Sequence, residues 1–142
     1  LMMEEPTRLF GREGDISKVS LWNPTKNNAN VKVKKNEGGD YSSYAGRTFI
    51  AGDIVEVSPC KILKQMDVYS QPVRDLCFQI DAETYAIPFG YAIFYNDSIN
   101  TKSEGNVDYQ WDEKSCTLTF KAIKKIEEGE PLVINVLETD YP

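Results

Sequence analysis

The chain has 142 residues, 41% of them hydrophobic and 27% charged, which suits one globular domain and excludes a chain that is disordered throughout. Its formal net charge of -6 opposes binding to a nucleic-acid backbone, which requires a clustered basic surface. Because histidine is absent, Ser–His and Cys–His hydrolases and the usual zinc enzymes are excluded as well.

The three cysteines, Cys60, Cys77 and Cys116, are widely separated and form no CxxC pair. This spacing favours reduced thiols in the core or at strand edges over a metal site or a disulfide framework. No apolar run approaches the roughly 18 residues that a membrane-spanning helix needs, and the acidic N-terminal sequence is unlike a signal peptide. We therefore expect an intracellular protein without a metal site or a membrane segment.

The first 46 residues are polar and rich in turn formers, but residues 16–22 and 30–35 alternate apolar with polar side chains. Such alternation predicts half-buried strands. The lysines of the second segment are interpreted as a solvated face rather than a nucleic-acid patch. Residues 1–29 are predicted to form an N-terminal arm and a first strand, and residues 30–142 the globular domain.

From residue 47 the sequence is denser in β-branched and aromatic residues, which favour strands. These predicted strands cover residues 48–58, 60–66, 75–80, 84–89, 107–111, 116–123 and 131–138. Residues 51–53 are expected to form a turn within the first of them, and residues 81–83 to close a hairpin. The apolar run 90–96 is predicted as one helical turn in the core. Since helical periodicity is weak everywhere, the predicted fold is mainly β.

Two segments, 48–57 and 125–134, share an order of apolar residues, glycine, acid and strand. Gly52 and Gly129 are predicted to occupy the positive-φ positions of two equivalent turns. Two interpretations remain open. Either the two segments are alike only because hairpin entries in general share this pattern, or the fold contains an internal pseudo-symmetry.

Three segments resemble, in order and spacing, the SET domain, the β-rich fold of protein-lysine methyltransferases that use S-adenosylmethionine. They read YSSYAGRTFIAGDIVEV from residue 41, FGYAIFYNDS from residue 89 and LTFKAIKKIEEGEPLVINV from residue 118. The resemblance covers about residues 30–141. It implies a SET-like β-clip of several short twisted sheets, with almost no helix and a C-terminal pseudoknot-like threading, as in the compact stand-alone SET proteins of viruses and bacteria.

The resemblance also implies four cofactor-binding positions, Tyr41, Ser42, Asn96 and Asp97. Asn96 matches the asparagine that meets the amino acid part of S-adenosylmethionine in the family. Asp97 stands where the family has histidine, and Ser42 where it has one of the glycines that lie against the cofactor. Ser98 matches the family serine.

Val136 stands where the family has a tyrosine whose hydroxyl orients the lysine nitrogen and the sulfonium. Tyr141, which resembles a second tyrosine of compact SET proteins, and Tyr91 are therefore the candidate catalytic residues. Aromatic rings would also suit a channel for a methylated ammonium. The candidates for such a channel are Tyr85, Tyr91, Phe94 and Tyr95. For Phe94 and Tyr95 the alternative is core packing.

Three functions remain open for a chain with this sequence. The first is S-adenosylmethionine-dependent methylation of protein lysines. The second is a non-catalytic SET-like module that binds a partner or forms a homo-oligomer, and the third is a structural β-clip protein, for example a viral particle component. The expected partner is a basic, lysine-rich protein, attracted by the acidic surface, with no nucleic acid or membrane. A viral protein of this kind would act in the host cytoplasm or the virion.

Overall fold

The computed structural model describes residues 30–136, so the predicted arm and strand within residues 1–29, and Tyr141, lie outside the described residues. Within this range the strands are Val31–Lys35 (β1), Tyr41–Ala45 (β2), Ile54–Lys64 (β3), Phe78–Asp81 (β4), Thr84–Pro88 (β5), Asn96–Asp97 (β6), Val107–Asp112 (β7), Thr117–Ala122 (β8) and Val133–Ile134 (β9). The helical elements are the 3₁₀ helices Gln65–Asp67 and Tyr91–Phe94 and the α-helices Gln71–Arg74 (α1) and Ser98–Thr101 (α2). The mainly β fold with almost no helix is confirmed. None of the helices in residues 30–136 has the length and apolar character to cross a membrane.

Strands β1 and β2 form an antiparallel hairpin, and the other seven strands form one sheet in the order β4-β5-β3-β8-β7-β9-β6. Strand β3 is long because its first half pairs with β8 and its second half with β5. The prediction of two neighbouring strands at 48–58 and 60–66 was therefore wrong. The chain turns before Ile54 and then runs on through Pro59, which is tolerated because β3 changes its partner at this residue.

Two other local predictions can be compared with the structure. The hairpin about residues 81–83 is confirmed, since β4 and β5 are antiparallel and Asp81 pairs with Thr84. Strand β2 was missed because its sequence, YSSYA, has little of the β-branched character on which strand prediction depends. Ser42 and Ser43 are nevertheless buried in this strand, at 4% and 0% exposure.

The hydrophobic core lies between the β1–β2 hairpin and the large sheet. Its largest fully buried side chains are Phe49, Phe120, Leu118, Ile126 and Leu132. Phe120 is surrounded by the rings of Phe78, Tyr95 and Tyr109, with centroid distances of 5.3, 5.2 and 6.3 Å. The contacts of Phe120 with Phe78 and Tyr95 are edge-to-face, an arrangement that stabilises a core beyond the burial of its area.

Residues 50–53 and 127–130 form two equivalent turns. Each has a glycine in the left-handed region at its third position, with φ of 93° at Gly52 and 89° at Gly129, as predicted. Each ends in an acid whose carboxylate accepts the first N–H of the turn, at 2.9 Å in the first turn and 2.6 Å in the second. The two turns thus share both their backbone conformation and their side-chain cap.

The surroundings of the two turns are also equivalent. Phe49 and Ile126 exchange both of their backbone hydrogen bonds, at 2.8 and 2.9 Å. Gly52 donates to the carbonyl of Ala122, whose N–H returns to Asp53. The same pair of bonds joins the second turn to Ala45, through Gly129 and Glu130. These two segments are therefore equivalent in their local contacts as well as in their turns, as the interpretation of an internal pseudo-symmetry expects.

Strand β9 lies between β6 and β7 and is parallel to both. The loop 98–105 that joins those two neighbours crosses over the segment, so residues 132–136 are threaded beneath it. Gly105 is buried in this loop, and a Cβ atom added there would overlap the backbone of Asn135. The Ser98 hydroxyl accepts the N–H of Val136 at 2.9 Å and donates to its carbonyl at 3.3 Å. This is the pseudoknot-like threading that the resemblance implies.

Candidate functional site

The candidate site lies where β2, the 3₁₀ helix Tyr91–Phe94, β6 and the threaded segment meet. The Ser43 hydroxyl donates to the Tyr91 carbonyl at 3.0 Å, and the Ser43 carbonyl accepts the N–H of Leu132 at 3.0 Å. Asn96 in turn donates its N–H to the Leu132 carbonyl at 3.2 Å. These bonds bring together the elements that carry three predicted site residues, Tyr41, Tyr91 and Asn96.

Asn96 is half-buried in β6, and its backbone pairs with Val133. Its carboxamide makes no hydrogen bond to another residue in the range 30–136, and neither of its polar atoms is fully buried, so both keep some contact with solvent. An amide that both donates and accepts can recognise an amino or a carboxylate group of a ligand. Asn96 is thus available for the binding role that the resemblance implies.

Asp97 is engaged elsewhere, as the N-cap of α2. One carboxylate oxygen accepts the N–H of Asn100 and the other accepts its side-chain amide, both at 2.7 Å. Such bonds satisfy the free donors at a helix start. The structure therefore gives the side chain of Asp97 a local role, whereas Ser98 holds the threaded segment through Val136.

Ser42 faces the interior of the β1–β2 hairpin rather than an open surface. Its hydroxyl accepts a hydrogen bond from the Asn36 amide at 2.7 Å, and the oxygen of that amide accepts the Tyr44 hydroxyl at 3.0 Å. Tyr41 is half-buried, with its ring 6.0 Å from the ring of Phe94. Of these two predicted cofactor residues, Tyr41 lies against the 3₁₀ helix, whereas the Ser42 hydroxyl is held within the hairpin by Asn36.

Glu56 is a functional candidate that sequence reasoning missed. Its half-buried carboxylate accepts hydrogen bonds from Ser58 Oγ at 2.6 Å, the Tyr91 N–H at 2.8 Å and the Tyr95 hydroxyl at 2.7 Å. No lysine or arginine in residues 30–136 forms an ion pair with it. The sequence did offer a signal for Glu56, which stands between two valines in a predicted strand. A charged side chain that a strand partly buries needs hydrogen-bond partners. Glu56 fixes both ends of the 3₁₀ helix.

Gly90 leaves room for this carboxylate. A Cβ atom at Gly90 would overlap Glu56 Oε2 and lie 2.8 Å from Ser58 Oγ. The glycine thus permits the close approach that lets Glu56 reach the Tyr91 N–H.

Tyr95 packs in the core, so core packing is confirmed for this residue over a place in an aromatic channel. Its ring meets Phe120 at an interplanar angle of 78°, and its hydroxyl is held by Glu56. Burial raises the pKa of Tyr95 well above its ordinary value of 10, and the negative charge of Glu56 and its hydrogen bond raise it further. The phenol is therefore neutral in the folded protein at ordinary pH.

This pKa shift predicts a loss of stability in alkali. Because the folded state holds the Tyr95 proton more tightly than the unfolded state, the contribution is fully present below pH 10 and is lost as the pH rises towards the folded-state pKa. We expect the free energy of unfolding to fall increasingly steeply as the pH passes 10, with a slope from this group alone that approaches about 1.4 kcal/mol per pH unit. Urea denaturation between about pH 9 and pH 11 measures the slope.

The variant Tyr95→Phe should lose this part of the slope. Tyr69→Phe, which removes a side chain that is 84% exposed, is the matched control. Equal slopes in the wild type and Tyr95→Phe would show that the Tyr95 proton is not held by folding.

No protein-family model matches this sequence, and no curated protein sequence matches it either. Solved structures with a similar fold, by contrast, are found. A Plasmodium falciparum protein assigned as a histone methyltransferase is similar with a TM-score of 0.61 at 16% identity, over 78% of this chain and 96% of that one. CpSET8 from Cryptosporidium is similar with a TM-score of 0.54 at 17% identity, over 74% of this chain and 56% of that one.

The methyltransferase domain of human PR domain-containing protein 2 is a further similar structure. Its TM-score is 0.56 at 14% identity, over 81% of this chain and 82% of that one. At identities this low, the structural similarity bears on the fold alone. The chain therefore has the fold of the SET domain.

Proposed function

We propose that the chain binds S-adenosylmethionine and methylates lysine side chains of a basic protein partner, slowly for a protein of this fold. The observation that carries the proposal is the open carboxamide of Asn96 beside the threaded strand. The similar structures support it, because those reported above are named as methyltransferases or as a SET protein. The net charge of -6 favours a lysine-rich partner.

The residues present fit the cofactor in part. Asn96 would hold its amino acid end through the free carboxamide, and Tyr41 would lie beside it. The side chains of Ser42 and Asp97 do not fit, because each is committed to a neighbour within the chain. When bound, the cofactor supplies an electrophilic methyl group.

The chain's own contribution to such a reaction is binding and alignment. Glu56 accepts the N–H of Tyr91 and Ser43 donates to its carbonyl. These two bonds fix the backbone from which the Tyr91 ring extends. Val136 has no hydroxyl to orient a lysine nitrogen. Since transfer between aligned groups depends on such positioning, we propose that Val136 limits the rate and that Tyr91 and Tyr141 are the remaining candidate catalytic residues.

A second candidate function is a non-catalytic SET-fold module that binds a protein or a second copy of itself. The absence of a hydroxyl at Val136 favours it. The commitment of Asp97 to a helix cap favours it too, because a cap stabilises the loop over the threaded segment without serving a ligand. A structural role in an assembly belongs to the same class, and it too predicts no cofactor binding.

Calorimetric titration of S-adenosylmethionine and of S-adenosylhomocysteine into the folded protein separates the two candidates. We expect micromolar binding that weakens at least about tenfold in Asn96→Ala, because the variant removes the open amide. Gln110→Ala is the matched control, since it removes an exposed carboxamide from β7 and leaves Asp97 and its helix cap unchanged. Absence of heat with the folded wild type would reject the methyltransferase and leave the binding module.

A further inference from the structure

Cys60 and Cys116 lie opposite each other on neighbouring chain segments. The antiparallel register of β3 and β8 ends with Pro59 opposite Thr117, and Cys60 and Cys116 are the next residues beyond that pair. Cys116 belongs to the turn before β8 and has a left-handed backbone, with φ of 56°. Cys60 donates its N–H to the Cys116 carbonyl at 3.0 Å, and the Cys116 thiol donates to the Cys60 carbonyl at 3.4 Å. Residues joined by such a backbone hydrogen bond in antiparallel strands have Cα atoms about 5.5 Å apart, which is within the range that a disulfide spans.

The two thiols are also close enough to influence each other electrically. Burial raises the pKa of Cys60 to about 11, a hydrogen bond from the Leu118 backbone lowers it, and the charge of Cys116 adds to the rise. Both side chains are free thiols and only partly buried. Cys77 belongs to another region, where its thiol donates to the Val73 carbonyl at 3.2 Å.

We propose that Cys60 and Cys116 are an oxidative modification site, which closes to a reversible disulfide in reaction with a small-molecule disulfide such as glutathione disulfide. The inference is independent of the proposed methyl transfer. It rests on the two hydrogen bonds between the cysteines, which lie directly beyond the last pair of β3 and β8.

The chemistry balances in two exchange steps. The Cys116 thiolate attacks glutathione disulfide, which forms a mixed disulfide and releases one glutathione thiolate. The Cys60 thiolate then attacks the Cys116 sulfur, which forms the protein disulfide and releases the second glutathione. Two protein thiols lose two electrons and two protons, and the oxidant is reduced to two thiols.

The second step is expected to limit the rate. A pKa of about 11 leaves little Cys60 thiolate near neutral pH, and the thiolate is the attacking form. Closure of the mixed disulfide should therefore accelerate about tenfold per pH unit between about pH 7 and pH 9. The bond would form beside Pro59, where β3 passes from β8 to β5, and would tie the two parts of the sheet together at that point.

The test uses the reduced protein, incubated with glutathione disulfide, alkylated under denaturing conditions and weighed intact. We expect that two of the three thiols become unavailable to the alkylating reagent and that peptide mapping joins Cys60 to Cys116. The mass should lie two hydrogen atoms below that of the reduced protein with one alkyl group added. Dithiothreitol should reverse the change. Cys77→Ser should close like the wild type, whereas Cys60→Ser should stop as a glutathione mixed disulfide at Cys116.

Three outcomes would overturn the proposal. They are a link that includes Cys77, a wild type that retains glutathione without closing, and a full set of free thiols after incubation. Because the wild type supplies all three readouts, the result does not depend on whether a variant folds.

Discussion

Replacing Val136 with tyrosine is expected to raise the rate of methyl transfer by about 100-fold. The Ser98 hydroxyl forms hydrogen bonds with both the N–H and the carbonyl of Val136. The backbone at position 136 is therefore fixed, and this limits the positions that a new side chain can take. A hydroxyl there would supply the positioned group that the proposed reaction lacks. The measurement is transfer of a labelled methyl group from S-adenosylmethionine to a lysine-rich peptide.

Val136→Phe is the matched control, because it adds the same ring without the hydroxyl. It should leave the rate near that of the wild type. If Val136→Tyr binds the cofactor yet transfers no faster than Val136→Phe, the hydroxyl at position 136 is not what limits the reaction. Cofactor binding by the wild type with no transfer in any of the three proteins would reject methyl transfer as the function of the bound cofactor.

Gly105→Ala is expected to lower the free energy of unfolding by about 3 kcal/mol. The added Cβ would overlap the Cα of Asn135 and lie 2.8 Å from its nitrogen, and backbone atoms cannot move aside as a flexible side chain can. The N–H of Asn135 is bonded to the Val107 carbonyl at 2.8 Å, so a shift of this segment also breaks a sheet hydrogen bond. Urea denaturation of the variant and the wild type measures the change.

Gly38→Ala provides the comparison for this variant. Gly38 is exposed, and a Cβ atom there would have no neighbour within 4 Å, so we expect a change within about 0.5 kcal/mol. Equal free energies of unfolding for the two variants would mean that the loop over the threaded segment can move to accommodate the added Cβ atom without a loss of stability. In that case the crossing at Gly105 would not hold the segment in place.

Patterning and turn chemistry predicted much of the fold. Alternating or β-branched runs located β1, β5, β7 and β8, because those strands present one face to the core. Two failures have physical causes. Strand β2 is stabilised by its pairing with β1 and by buried serines that find partners, which propensity does not register. In β3, long-range pairing carries the strand across Pro59.

The candidate site was less predictable than the fold. Asn96 was located through the resemblance, and the structure leaves its amide open. The roles of Glu56 and Ser98 depend on contacts with residues 35 and 38 positions away, which a local pattern cannot show. The sequence could have predicted the helix cap at Asp97, since aspartate is a preferred N-cap. The resemblance instead implied a cofactor-binding position for this residue.

The threaded segment also sets an order of events during synthesis. Strand β6 pairs only with β9 among the described strands, and β9 is made after all the others. While the ribosome is still translating residues 108–131, Asn96 therefore has no neighbouring strand, and the loop 98–105 has no segment to enclose. Such long-range closure is slow compared with the formation of local hairpins. The Asn96 site should consequently be absent from every nascent chain shorter than about residue 136, and chaperones would meet β6 as an unpaired edge.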